Sequence, residues 1–148
     1  MTDSFVVRAA RATDQATLVR LVRAARLDPS DLHWPNFVVA EADGQIVGCG
    51  QVRPDPGLRE LGSMVVLDAY RHRGVGGAIV RMLQASTPPP LFLECPEHRV
   101  SFYTQFGFQI VPHRAVPWKL RLKATFGNAV LPLVRGPHIV TMCWAGEQ

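Results

Sequence analysis

The stretch Glu60-Leu-Gly-Ser-Met-Val-Val-Leu-Asp-Ala-Tyr-Arg-His-Arg-Gly-Val-Gly-Gly-Ala78 decides how this chain is read. A Val-rich strand runs into a turn with three basic residues and a glycine cluster, and a helix starts from that turn. Val75, Ala78, Ile79, Met82 and Leu83 recur at the spacing of one helix face, and Pro88-Pro89-Pro90 stops the helix. The first N–H groups of a helix have no internal partner and carry the positive end of its dipole, so they suit a phosphate. Gly74, Gly76 and Gly77 remove side chains that would hold a pyrophosphate at a distance, while Arg71, His72 and Arg73 add donors and charge.

The identity of the phosphate ligand is narrowed by what the turn lacks. A Walker loop needs Gly-Lys-Ser/Thr after its glycines, and here the chain continues Gly76-Gly77-Ala78-Ile79. A dinucleotide fingerprint needs a glycine three residues after Gly76, where Ile79 stands. Taken alone, the glycines remain equally compatible with a turn that holds no ligand.

Upstream, Phe5–Arg8 reads as a strand. Thr13 is placed to cap a helix whose apolar face is Leu18, Leu21, Val22 and Ala25. Pro29 and Pro35 bound an irregular stretch with room for one helical turn. Phe37–Ala42 and Gln45–Arg53 flank Asp43-Gly44, a dipeptide suited to a tight hairpin turn. Glu60–Leu67 is a buried strand and Gly74–Ala85 a helix. Downstream, Leu91–Glu94 is a strand, Glu97–Gln105 a short helix, and Phe108–Val111 and Ile139–Trp144 are strands. Residues 112–137 mix four prolines with no clear period and are left unassigned. Hairpins followed by alternating strands and helices place the chain in the α/β or α+β class, with a mixed sheet covered by helices.

Composition limits the alternatives. The 148 residues suit one domain, 1–148, with one core. No apolar run reaches the length of a membrane span; the longest, 124–134, is broken by Gly127, Asn128 and Pro132. The N-terminus lacks the apolar block of a signal peptide, so a cytoplasmic protein is expected, with no membrane partner. Cys49, Cys95 and Cys143 are odd in number and far apart, and the five histidines are scattered, so neither a disulfide framework nor a metal site is expected. The net charge of +4 is uneven: from His98 to Gly146 there is no acidic residue, but Arg99, Arg114, Lys119, Arg121, Lys123 and Arg135 all occur there. Such a face attracts anions or is simply solvated.

The glycines do not stand alone. Arg71-x-x-Gly74-x-Gly76 resembles the acetyl-CoA signature Gln/Arg-x-x-Gly-x-Gly/Ala of the GNAT superfamily of N-acetyltransferases. Phe102-Tyr103-Thr-Gln-Phe-Gly107-Phe108 looks like the family's second motif, FYxxxGF, and one helix and one strand separate the two as in the family. The order of elements from Phe5 to Trp144 matches over nearly the whole chain. The resemblance implies a GNAT-like fold, with a mixed, mostly antiparallel sheet of six to seven strands covered by about four helices. It also implies acetyl-CoA as cosubstrate, without a metal. Met64, Val65 and Val66 would line the pantetheine arm, with Met64 and Val66 bonding it like an added strand. Arg71, His72, Arg73, Gly74, Val75, Gly76, Gly77 and Ala78 would hold the pyrophosphate, and the Val66 N–H would face the developing oxyanion.

Acyl transfer from a thioester to an amine needs a neutral amine and a stabilised thiolate. Glu60 lies eleven residues before Arg71, at the offset of the glutamate that acts as base in histone-acetylating members, and by the two-residue period it shares a strand face with Gly62, Met64 and Val66. It is the candidate base, with a solvated strand-end residue as the alternative. Tyr103 occupies the tyrosine of FYxxxGF, which implies a general acid at the CoA sulfur; packing beside Phe102 and Phe106 is the alternative. Glu94, at the end of a strand, is a candidate for binding the substrate ammonium or for a second base, and could equally cap the following helix. Cys95 has no histidine placed to activate it. Pro96 and Arg99 stand where many relatives have Asn and Ala, so the helix entry should differ.

The function implied is acetyl transfer from acetyl-CoA to a primary amine, with a small amino-acid-like acceptor favoured by the basic C-terminal third. A protein or peptide amine, a non-catalytic acyl-CoA sensor and a basic nucleic-acid-binding domain are the other readings. The last lacks a recognition motif and interleaved aromatics, so no nucleic-acid partner is expected. Residues 112–137 would either cover the acceptor or make a homodimer contact.

Overall fold

The computed structural model describes residues 4–55, 57–118 and 138–147. Its elements are β1 (Val6–Ala9), α1 (Gln15–Ala24), β2 (Phe37–Ala42), β3 (Gln45–Asp55), β4 (Leu58–Val66), α2 (Val75–Ala85), β5 (Leu91–Pro96), α3 (Val100–Thr104), β6 (Gln109–Ile110) and β7 (Ile139–Trp144). The sheet has seven strands in the order β1-β2-β3-β4-β5-β7-β6. Four of its pairs, β1–β2, β2–β3, β5–β7 and β6–β7, are antiparallel. The expected class and sheet are therefore present. The described residues hold three α-helices rather than about four, because Glu97–Arg99 is a 3-10 turn leading into α3 and Trp34–Asn36, between Pro29 and β2, is another. The chain falls into two compact units, Met1–Pro54 with Leu61–Thr87, and Asp55–Glu60 with Pro88–Gln148.

In the first unit, Asp43 and Gly44 take φ of 50° and 75°, as a tight hairpin between β2 and β3 requires. Leu18, Leu21 and Val22 of α1 bury against Phe37, Val39, Cys49 and Val65, so the helical period and the strand alternation meet in one core. The cap differs from expectation. Thr13 lies inside a 3-10 turn, Ala12–Asp14, and the Asp14 carboxylate accepts from the Arg11 N–H at 2.8 Å. Asp14 also pairs with Arg8 of β1 at 2.8 Å, and Arg8 reaches Glu41 of β2 at 3.3 Å. The bond from Arg8 holds the Asp14 carboxyl below its ordinary range. That contribution is present above the unfolded carboxylate pKa and fades as pH falls through the lower folded value.

On the other sheet face, α2 lies directly on β3, and two glycines make this close approach possible. A Cβ at Gly48 would sit 3.0 Å from Val75 Cγ1 and 3.1 Å from the Val65 carbonyl oxygen. One at Gly50 would collide with Met64 Sδ and come within 2.9 Å of Ile79 Cγ2.

In the second unit, β5 and β7 pair in register from Leu91↔Trp144 to Pro96↔Ile139. Leu91, Leu93 and Cys95 are buried while Phe92, Glu94 and Pro96 are half-buried, so β5 is two-faced. Gly107, at φ 87°, turns the chain from α3 towards β6, and a Cβ there would sit 3.2 Å from Trp144 Cδ1. Leu58 and Val116 bury together, with Phe92 and Val111 packed against them.

A valine at Gly50 would have to displace both Met64 and Ile79. Overpacking of this kind costs about 1–3 kcal/mol. Urea denaturation of Gly50→Val should show a lowered midpoint of that size with an unchanged m-value; an unchanged midpoint would mean that the seat of α2 is loose.

Candidate functional site

The glycine turn forms as its sequence requires. After β4, Asp68–Tyr70 makes one 3-10 turn, and His72 and Gly74 both take left-handed φ, 63° and 82°. Gly74 is the N-cap of α2, and its carbonyl accepts the first helical bond, from the Ala78 N–H at 3.0 Å. The amides of Val75, Gly76 and Gly77 therefore precede the first internal bond of an eleven-residue helix, where an anion is favoured. Val75 is buried and fixes the helix start, whereas Gly76, Gly77 and Ala78 stay half-buried. Arg71, His72 and Arg73 are exposed around the turn. Arg71 Nε donates to the Val66 carbonyl at 3.3 Å and its Nη2 meets Asp68 at 3.2 Å, while the Arg73 guanidinium lies 5.3 Å from the Tyr70 ring centre. Arg71 and Arg73 are thus tethered to the turn and its flanks.

Strand β4 carries Met64, Val65 and Val66. Val65 joins the core under α1, and Met64 points to the side of Gly50 and α2. The strand is not regular. Ser63 takes φ of 54°, a left-handed value inside a strand. The Cβ position of Gly62 is filled by the Arg53 guanidinium, and the same guanidinium donates from Nη2 to Ser63 Oγ at 3.3 Å. Two consecutive residues thus turn to one face, the mark of a bulge. The period-two extrapolation from Met64 is interrupted at this extra residue, before it reaches Glu60. An isolated Gly inside a strand pattern was the available signal.

The second unit holds the other three candidates. Tyr103 of α3 is 8% exposed, edge-on to Phe102 at 4.9 Å and to Phe108 at 5.9 Å. Burial pushes its phenol up to about 12, with the Cys95 sulfur adding to the rise and Arg99 opposing it. Tyr103 therefore belongs to the Cys95 face of β5. Glu94 is half-buried on the other face, opposite Thr141 of β7. That face also carries Phe92, which packs on Leu58, two residues before Glu60. Glu60 and Glu94 are brought to one side of this unit, and Tyr103 to the other.

Cys95 is buried and its thiol is pushed up to about 11, again by burial. Its Sγ lies 3.9 Å from Met142 Sδ, the contact of a core residue rather than of a nucleophile. Among the described residues no group of three or more His, Cys, Asp and Glu could hold a metal ion, and no helix is long and apolar enough to cross a membrane. Lys119, Arg121, Lys123 and Arg135 lie outside the described residues; Arg99 and Arg114 are exposed.

A family model described as an acetyltransferase (GNAT) domain matches residues 33–110, just over half of the chain and both motifs. The chain belongs to the GNAT acetyltransferase family. Comparison with curated protein sequences finds no significant match. Solved structures agree with the GNAT fold. N-acetylglutamate synthase from Neisseria gonorrhoeae, in complex with coenzyme A and N-acetyl-glutamate, superposes with a TM-score of 0.74 at 16% identity. That match covers 100% of this chain and 36% of the synthase, so the chain spans about a third of that protein. Rv2747 from Mycobacterium tuberculosis, in complex with CoA, gives 0.72 at 22% identity over 95% of this chain and 98% of its own. The ribosomal-protein-S18-alanine N-acetyltransferase from Escherichia coli gives 0.69 at 13% identity, covering 98% and 96%.

Thiol burial makes a direct prediction. Cys143 is half-buried and its thiol is raised by burial, whereas Cys49, pushed up to about 12, and Cys95 are buried. N-ethylmaleimide at pH 7.5 should modify Cys143 first in the folded protein, read by peptide mass spectrometry. Early labelling of Cys95 would contradict its core role.

Proposed function

We propose that this GNAT domain, residues 1–148 acting as one functional domain, transfers an acetyl group directly from acetyl-CoA to a primary amine. The observation that carries the reading is the N-terminus of α2. Gly74 caps it in a left-handed conformation, three amides precede the first helical bond, and three basic side chains surround the turn. That arrangement is matched to a pyrophosphate, and the order of strand, turn and helix fits a pantetheine arm along Met64–Val66.

Tyr103 is the proposed acid for the leaving thiolate. A phenol pushed up to about 12 keeps its proton throughout the working range and is available to donate it. Glu60 is the proposed base for the ammonium, directly or through water, with Glu94 binding the amine nearby. The acceptor is a small, amino-acid-like amine; the naming of N-acetyl-glutamate in one structural neighbour is consistent with this class. Three free cysteines suit the reducing cytoplasm.

The cradle is tested by Gly74→Glu. A carboxylate at the helix entry opposes an anion, and any side chain with a Cβ strains the left-handed turn by about 1–2 kcal/mol. CoA affinity by calorimetry should fall at least about tenfold while the protein stays folded, by analogy with the charge and steric opposition expected at an anion site. Unchanged affinity would remove CoA from this turn.

The acid is tested by Tyr103→Phe, which keeps the ring and its packing. CoA binding should survive while kcat falls by about 10²–10⁴. With its proton held to about 12, Tyr103 should give the wild-type kcat profile no descending limb between pH 6 and 10. A variant as fast as wild type would return Tyr103 to packing alone.

A further inference from the structure

Arg99 and Val100 both take right-handed helical backbone, so the 3-10 turn Glu97–Arg99 passes into α3 without a break. Arg99 and Tyr103 stand four residues apart on this run. Side chains at that spacing share a helix face, with about 5–6 Å between their Cβ atoms. Tyr103 is buried and Arg99 is exposed. One helical turn thus places a guanidinium and a buried phenol on the same face, with the cation on the solvent side.

The surroundings of the phenol are otherwise apolar. Phe102 stands edge-on at 4.9 Å, and the fully buried Phe108 at 5.9 Å. From β5 the buried Cys95 faces the ring, with Met142 Sδ 3.9 Å from its sulfur. Among the described residues no group bonds the Tyr103 hydroxyl, and Arg99 has neither an ion pair nor a side-chain hydrogen bond. The charge of Arg99 is nevertheless felt by both groups: it opposes the rise of the Tyr103 phenol and that of the Cys95 thiol.

The helix itself gives Arg99 no role. Arg99 is the N-cap of α3, where Ser, Thr, Asn or Asp would accept from a free amide and an arginine, a donor only, cannot. A cation there also meets the positive end of the helix dipole. Glu97 lies two residues away, a spacing that does not bring side chains together on a helix. A locally unfavourable arginine is left whose charge reaches past the helix end to the phenol.

We propose that Arg99 is a positioning residue for acetyl transfer, holding a positive charge beside the Tyr103 hydroxyl. The proposal rests on the acetyltransferase reading and deepens it by naming the group that makes a buried phenol usable as an acid. When the tetrahedral intermediate collapses, the C–S bond breaks and its electron pair goes to sulfur. The sulfur takes the Tyr103 proton, and the negative charge ends on Oη; the phenolate then regains a proton from water. In apolar surroundings that charge is costly. A fixed cation one turn away offsets the cost as the charge appears. Arg99 is exposed and keeps its own hydration, so it carries no burial penalty in return.

The test is a double-mutant cycle on acetyl transfer by the full chain, read as kcat and KM. Arg99→Gln should lower kcat about tenfold, within the size of one charge interaction near a protein surface, and leave KM for acetyl-CoA unchanged. Arg99→Lys keeps the charge and should recover most of that loss. In a Tyr103→Phe background, Arg99→Gln should have no further effect, because the group it acts through is gone. A second arm needs no turnover. Tyr70 and Tyr103 are the two tyrosines of the chain, so in a Tyr70→Phe background tyrosinate absorbance reports Tyr103 alone. After a rapid jump to pH 11, read before unfolding, that absorbance should be smaller with Arg99→Gln than with Arg99 in place. An undiminished kcat in Arg99→Gln, an equal loss with and without the Tyr103 hydroxyl, or equal tyrosinate signals would each overturn the proposal. A wild type that acetylates no amine, with the tyrosinate difference intact, would sink the acetyltransferase reading and leave Arg99 standing as the charge partner of Tyr103.

Discussion

The seat of α2 on β3 is the constraint on which much of the rest depends. Gly48 and Gly50 give up their side chains so that Val75, Ile79 and Leu83 can descend onto the strand. Val75 is the first residue of the helix, so its contact with Gly48 fixes the helix end as well as its body. An anion site built from backbone amides has no side chain to adjust; its geometry is only as good as the placement of the helix start. Two glycines in a strand cost sheet stability, about 0.5–1 kcal/mol each relative to alanine. They convert that cost into a fixed position for Gly74 and the amides that follow it.

The same strand serves a second purpose on its other face. Where Gly48 and Gly50 admit a helix, Cys49, Gln51 and Arg53 pass from core to polar cluster within five residues. One strand therefore couples a close helix contact to a buried guanidinium, with the kink at Ser63 of the neighbouring strand β4 accommodating the latter. Regular alternation could not have placed both Gly62 and Ser63 against Arg53; the irregularity supplies what a regular ladder lacks.

Much of this was legible in the sequence, and the exceptions have physical causes. The glycine turn, the Asp43-Gly44 hairpin and the strands Phe37–Ala42 and Ile139–Trp144 were read correctly, because turn chemistry and alternation are local signals. Tyr103 is legible in the sequence as a motif position, but its burial near Cys95 and Phe108 depends on contacts between distant residues. The pattern of α1 makes Thr13 look like a cap; Arg8, six residues before Asp14, instead draws the Asp14 carboxylate into the first turn. The environment of Arg53 is not legible in the sequence, because a lone arginine in a strand has no context until a glycine and a serine on the next strand are brought beside it.

The arrangement of β5 bears on how acid and base would divide the work. In direct acyl transfer the amine loses a proton and the thiolate gains one at atoms of one tetrahedral intermediate, so acid and base must both come within reach of that intermediate. Tyr103 lies on the Cys95 face of β5, shielded enough to hold its proton, while Glu94 lies on the other face, the side to which Leu58 and Phe92 bring Glu60. A shared face for Tyr103 and the glutamates would have brought carboxylates near the phenol and made a direct exchange between them a competing path. Their separation by the thickness of a strand constrains any assignment that uses the phenol and a carboxylate together, since both must still come within hydrogen-bond reach of one intermediate.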